Sequence, residues 1–276
     1  MTQQLTDPAA LARTRRRAHD MLWHHEARAE AEDRLSIVNK PLTDIAIVSD
    51  FPQIWQDFSI KGSAAPHIIP QTEVLNLAAG AYDGVIHAMG LHWANDPVGQ
   101  LVQCKRALRP DGVLIALMFG GQTLHELRTS LAQAEADLSG GLSPRVLPMG
   151  EIRDLGALLQ RAGFALPVAD SFSTQVRYRD AFHLMQDLRA MGEGNAMAAR
   201  LRKPTQRGVF GRAAELYQQT YGGADGKIPA TFEIVVLTGW APADSQPKPL
   251  RPGSAAKRLS DVLSVPEVKL PRDAGI

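Results

Sequence analysis

The sequence of 276 residues holds a single cysteine, Cys104. One thiol excludes an internal disulfide framework and a cysteine-rich zinc site. It lies in the apolar run "VGQLVQCKRAL" and reads as a small buried hydrophobe. Charge of one sign is also missing, since 30 Lys and Arg against 29 Asp and Glu leave a formal charge of +1. No overall field steers such a chain toward nucleic acid or an anionic membrane, so a charge-driven function is not expected. No uninterrupted apolar stretch approaches the ~20 residues of a bilayer crossing, which leaves only peripheral membrane association open. Metal signatures are lacking too. No His-x-Asp/Glu pair with a distant third histidine stands out, and His125-Glu126 lacks the second histidine of a zinc helix, so no metal is expected.

One further absence is local. "TDIAIVSDFPQIWQDF" (43–58) reads as a strand and then a helix start, yet the turn between them, Ser49-Asp50-Phe51-Pro52, contains no glycine. A nucleotide-binding α/β turn uses glycine because a Cβ blocks close approach of the backbone to the ligand. Pro52 also removes a backbone donor and fixes φ.

What is present is ordinary α/β material. Composition, at 45% hydrophobic and 21% charged, suits a globular protein able to bury a large core. The first segment carries Arg15, Arg16 and Arg17 but no apolar core after them, and it contains Asp20, Glu26, Glu30, Glu32 and Asp33. It therefore reads as a mature amphipathic helix, capped by Asp7 with Pro8 at its first position, rather than a targeting peptide, and a cytoplasmic location follows. "DIAIV" and "AYDGVIHAMG" predict buried strands. Asp96-Pro97 predicts a helix to about residue 108, "RPDG" (109–112) a tight turn, and "GVLIALMFG" a further strand. Helices are expected near 124–138, 151–162, 181–192 and 208–221. A strand is expected within 164–178, and "TFEIVVLTGW" is the last one. From residue 241 the chain turns proline-rich, with mixed charge and few aromatics, and reads as a tail of low structure. Alternating strands and helices imply a doubly wound, mostly parallel sheet with helices on both faces.

The block "DGVIHAMGLHWANDPVGQLVQCKRALRPDGVLIALMFGGQTLHELR" (83–128) resembles the second half of a class I S-adenosylmethionine (SAM) methyltransferase domain. "FGGQTLHELR", "GGLSPRVLPMGEIRDLGALLQRAGF", "DLRAMGEGN" and "QPKPLRPGSA" resemble a narrower family. These are the arginine-hydroxylase assembly factors of respiratory NADH:ubiquinone oxidoreductase. A looser likeness is to the malonyl-acyl-carrier-protein O-methyltransferases of biotin synthesis. The resemblance implies a Rossmann-like methyltransferase sheet, SAM as cofactor, and a respiratory NADH dehydrogenase subunit as protein partner. It also implies a Gly-x-Gly turn after the first strand, an acid after the second strand, and an aspartate before "EVLNL". Ser49 to Pro52 stand at the first place. No acid survives between Phe58 and Pro70, where "SIKGSAAPHIIP" is too short for the usual helix, strand and helix. Gln71, with Glu73 nearby, stands at the third. The first half is thus shortened, and three parts of one pocket are altered together.

Candidate residues follow from position. His92 and Trp93 come just after a strand, at the carboxyl edge where open α/β sheets bind ligands, and His92 can serve as acid or base there. His87 lies on the strand and reads first as a satisfied core histidine; His24 and His25 read as facing solvent. Glu126 and Arg128 read as a charged helix face that the resemblance raises to candidates, and Glu193, with Asn195, sits on a loop that can close over the sheet edge. The catalytic candidates are His92, Glu126, Arg128 and Glu193; the cofactor-side candidates are Ser49, Asp50, Gln71, Glu73, His87 and Trp93. The expected organisation is an N-terminal helical segment (1–40), a methyltransferase-like domain (41–240) and the tail (241–276). Three functions stay open on the sequence: a protein-modifying assembly factor with a degenerate SAM turn, a SAM-dependent methyltransferase of a small molecule or acyl carrier protein, and a non-catalytic binding protein.

Overall fold

Five strands of a six-stranded sheet run in one direction. The computed structural model describes residues 4–247. Its strands are β1 (Ile45–Val48), β2 (His67–Ile69), β3 (Tyr82–Ala88), β4 (Leu108–Phe119), β5 (Ala165–Tyr178) and β6 (Ile228–Trp240), in the order β2-β1-β3-β4-β6-β5. β2, β1, β3 and β4 are parallel neighbours, whereas β6 pairs antiparallel with both β4 and β5. This is the Rossmann-like methyltransferase arrangement expected from the strand and helix order.

The helices are α1 (Pro8–Arg15), α2 (Leu22–Ser36), α3 (Pro52–Trp55), α4 (Pro97–Ala107), α5 (His125–Ser139), α6 (Ile152–Arg161), α7 (Ala181–Ala190) and α8 (Arg207–Tyr221). Alternation along β4 explains why its apolar run is unbroken. Val113, Ile115, Leu117 and Phe119 enter a core with α2, α5, α7 and α8, while Leu114, Ala116 and Met118 enter a second core with α4 and α6. A strand covered on both faces has no solvent side for polar residues. As the sequence implies, β3 and β4 are parallel partners joined by α4, with Gly84 opposite Val113 and Ala88 opposite Leu117. Asp96 caps α4 by accepting the Gly99 N–H at 2.8 Å. The "RPDG" residues loop out within β4: Tyr82 faces Leu108 and Gly84 faces Val113, with Asp111 at φ +63°.

The structure corrects three expectations. The N-terminal segment is two helices, because the chain leaves the helix after Arg15 to place the N–H groups of His19 and Asp20 on the Ala190 carbonyl, at 2.8 and 3.0 Å. α2 then buries Trp23, Ala27, Ala31 and Leu35, one stripe at four-residue spacing. His24 does not face solvent. It is 6% exposed, next to that stripe, with its ring 4.4 Å from the ring of Phe51. Finally, the second strand exists: residues 67–69 pair with β1, although the following residues 70–81 form no strand. The first half is shortened by loss of what surrounds β2. The expected tail lies outside the described residues from 248 onward. Ala241 is still held, its N–H donating to the Gly112 carbonyl at 2.8 Å.

Candidate functional site

Parallel strands end together, so the carboxyl ends of β1, β2 and β3 bring distant residues to one edge. Ser49 is buried and its Oγ accepts the Phe51 N–H at 3.2 Å, closing the turn on itself. Asp50 Oδ1 accepts the N–H of Gln71, just past β2, at 2.9 Å, and Asp50 Oδ2 pairs with the guanidinium of Arg15. The same Arg15 nitrogen donates to Gln71 Oε1 at 3.2 Å, and Gln71 Nε2 donates to the Gly90 carbonyl, past β3, at 2.6 Å. The fit is tight, since a Cβ on Gly90 would lie 1.8 Å from Gln71 Oε1. Arg15, from the end of α1, and Gln71 together thus tie three strand ends. Beside this knot runs a cleft of 1060 Å³ bordered by Gln71, Glu73, Trp93 and Gln100. Glu73 is exposed there, and its backbone carbonyl accepts Gln103 Nε2 at 2.9 Å.

A second cluster forms where β3 runs into the short helical turn Leu91–Trp93, after Met89 at φ +49°. The loop following α7 reaches over this turn. Gly192, at φ +79°, allows the reversal, and Glu193 places Oε2 2.8 Å from Trp93 Nε1 and 3.4 Å from His92 Nε2. Burial alone would raise the Glu193 carboxyl. The attraction and hydrogen bond of His92, the charge of Arg15 and the Trp93 indole outweigh it, so the pKa lies below the usual carboxylate value. His24, by contrast, is lowered to about 4, chiefly by burial, and is neutral at pH 7. Glu193 and Trp93 border an apolar cavity of 230 Å³ walled by Phe119, Leu124, Leu127 and Phe232, with Arg145 and Arg189 also on its lining.

Comparison with known proteins accords with this edge. A methyltransferase domain model matches residues 59–116. A malonyl-[acyl-carrier protein] O-methyltransferase of Gallionella capsiferriformans is 31% identical over 206 residues, covering 75% of this chain and 67% of that protein. This chain belongs to the class I methyltransferase superfamily. Within it, the arginine hydroxylase NDUFAF5, described as mitochondrial, is more alike. The zebrafish (Danio rerio) protein is 40% identical over 198 residues, covering 72% of this chain and 61% of that relative, and the human protein is 40% identical over 195, covering 71% and 56%. The chain spans 41% to 61% of the length of the arginine hydroxylases it matches.

In this methyltransferase fold the other candidates stand apart from the cavity. Glu126 is 2% exposed rather than on the surface, and it accepts Thr231 Oγ1 at 2.5 Å and the Thr231 N–H at 3.2 Å, fastening α5 to β6. Arg128 donates to the Thr123 carbonyl at 3.1 Å and to Gly121 at 3.4 Å, so it braces the turn that presents Thr123 and Leu124 to the cavity. His87 is a fully buried strand histidine with Nε2 3.2 Å from Gln100 Oε1. Asn195, by contrast, is on the cavity lining with Glu193, and it donates to the Pro144 carbonyl at 2.8 Å. Arg15 and His24 were not among the sequence candidates. Arg15 was hidden inside a basic triplet, and His24 looked like the polar side of a helix.

Proposed function

We propose that this methyltransferase-like chain acts on an arginine-bearing protein subunit of the respiratory NADH dehydrogenase during its assembly, without SAM seated in the family manner. The observation that carries this reading is the Arg15–Asp50–Gln71 knot. It puts side chains where the superfamily's glycine turn and ribose acid receive the cofactor. The residues present do not fit SAM there: Phe51 is buried, Pro52 opens α3, and Gln71 rather than an acid follows β2. Likeness to the arginine hydroxylases supports the substrate class, and the apolar cavity bordered by Glu193 supports handling of a side chain. A cytoplasmic location and peripheral membrane contact complete the reading; cell fractionation checks both.

The test is a deletion strain examined for assembled NADH dehydrogenase on native gels. Assembly should fall without the gene and return with it. Full assembly in the deletion strain overturns the proposal. A SAM-dependent methyltransferase is the second reading, favoured by the 1060 Å³ cleft beside the knot, which has room for a nucleoside cofactor in a displaced position.

A further inference from the structure

Glu193 is a carboxylate held largely out of water, and its direct side-chain contacts are His92 and Trp93. Among the described residues no Lys or Arg forms an ion pair with it, and within salt-bridge distance it meets His92 Nε2, at 3.4 Å. Both of its hydrogen-bonded contacts use Oε2, which leaves Oε1 for a ligand. The side chain is 11% exposed. A carboxylate held this far out of water is costly unless something compensates it, and here His92, the charge of Arg15 and the Trp93 indole do so, with both direct contacts on Oε2. Among the described residues neither arginine on the lining forms an ion pair with it. Arg145 is taken by Glu135, at 2.6 Å, and by Thr205, also at 2.6 Å. Arg189 is exposed on α7, where solvent screens it.

The rest of the cavity matches what such an anion would receive. Its 230 Å³ falls below the roughly 300–1,000 Å³ of sites that take drug-sized ligands, so it suits one side chain rather than a cofactor. Its walls are mostly aliphatic and aromatic, Trp93, Phe119 and Phe232 among them, and Trp93 meets the acid directly. An arginine carries an apolar stem and a planar cation, and aromatic faces with a carboxylate are the groups that bind it. The backbone holds the acid in place. The Glu193 N–H donates to the Leu188 carbonyl at 2.9 Å, and a Cβ on Gly192 would lie 2.9 Å from the Ala18 Cβ, which shows how closely the loop is set on the N-terminal segment.

Resting on the proposed function, we infer that this cavity takes the arginine side chain of the protein substrate and that Glu193 Oε1 receives its guanidinium. The apolar stem lies along the walls formed by α5 and β6, and Trp93 fixes the other carboxylate oxygen. Selectivity is for positive charge at the tip.

Titration of the full chain with short end-capped peptides tests this. One carries a single arginine, one citrulline and one glutamate at the same position, and the indole N–H resonance of Trp93 is followed by NMR. The arginine peptide should bind and the citrulline peptide should bind roughly tenfold to a hundredfold more weakly, the usual range for a charge-assisted contact. Glu193→Gln should abolish that preference while its melting temperature stays near that of the unaltered chain. The arginine–citrulline comparison on the unaltered chain stands even if the variant fails to fold. Equal binding of the two peptides, tighter binding of the glutamate peptide, or no binding at about 10 mM would each overturn the inference. NADH dehydrogenase assembly is scored separately. A chain that prefers arginine yet is dispensable for assembly defeats the proposed function alone, and one that is required yet shows no preference defeats only this inference.

Discussion

At the residue scale two sets of buried titratable groups are acid-sensitive. His24 and His87 are both lowered to about 4, with burial the largest cause, so folding favours their neutral forms. Stability from them is complete above the ordinary histidine value of 6.5 and declines as pH falls from there toward 4. Asp83 behaves differently. Burial would raise it, but Arg109 at 2.8 Å and the donors of Thr43 and Asp44 hold it down to about 2. Its contribution is present above 3.8 and is lost as pH falls toward 2. Melting temperature against pH should therefore fall in two windows, and Asp83→Asn should make only the lower one shallower, since Glu193 and Glu135 share it. Replacing both histidines by leucine should flatten only the upper one. A single transition unaffected by either change would contradict these assignments. The sequence revealed His87 and Cys104 as core residues because each lies in an apolar run. It misled on His24, because the burying stripe of α2 starts at Trp23 and the Phe51 ring that meets His24 comes from the turn after β1.

At the scale of elements, the loop after α7 is the decisive piece. Its sequence announced a glycine-bounded turn with one acid, and the structure lays that turn over the β3 edge. What no local pattern contains is the partner surface, the irregular stretch between α1 and α2. Gly192→Ala tests the dependence. An alanine there takes a left-handed φ of +79° and brings its Cβ within 3.3 Å of the Arg15 backbone. The expected loss is about 1–3 kcal/mol. At about 2–4 °C per kcal/mol for a chain of this size, calorimetry should record a drop of several degrees. Arginine-peptide binding should weaken with it, since Glu193 moves when the turn does. Unchanged melting would mean that the loop is not clamped as described. The β3–α4–β4 unit, by contrast, was legible throughout: Asp96-Pro97 starts the helix, and apolar runs mark the two strands. β2 was not, because three residues paired on one edge leave little periodicity to read.

For the whole molecule, the sheet follows from alternating strands and helices, but the state of the edge where β1, β2 and β3 end depends on residues that meet only after folding. The absent glycines at 49–52 were visible in the sequence; the Arg15 guanidinium tying that turn to Gln71 and, through it, to Gly90 was not. The consequence is quantitative. An ordinary turn would offer the cofactor open backbone donors, whereas here the Phe51 N–H is taken by Ser49 Oγ and the Gln71 N–H by Asp50. Calorimetric titration should give SAM binding weaker than about 1 mM, corresponding to less than about 4 kcal/mol. Arg15→Ala alone should not recover it, because Pro52 and the missing acid after β2 remain when the guanidinium is gone. Recovery to micromolar affinity in that variant would instead make Arg15 the sole obstacle. Micromolar binding by the unaltered chain would make residues 49–52 a working cofactor turn of a new shape and put the methyltransferase reading first.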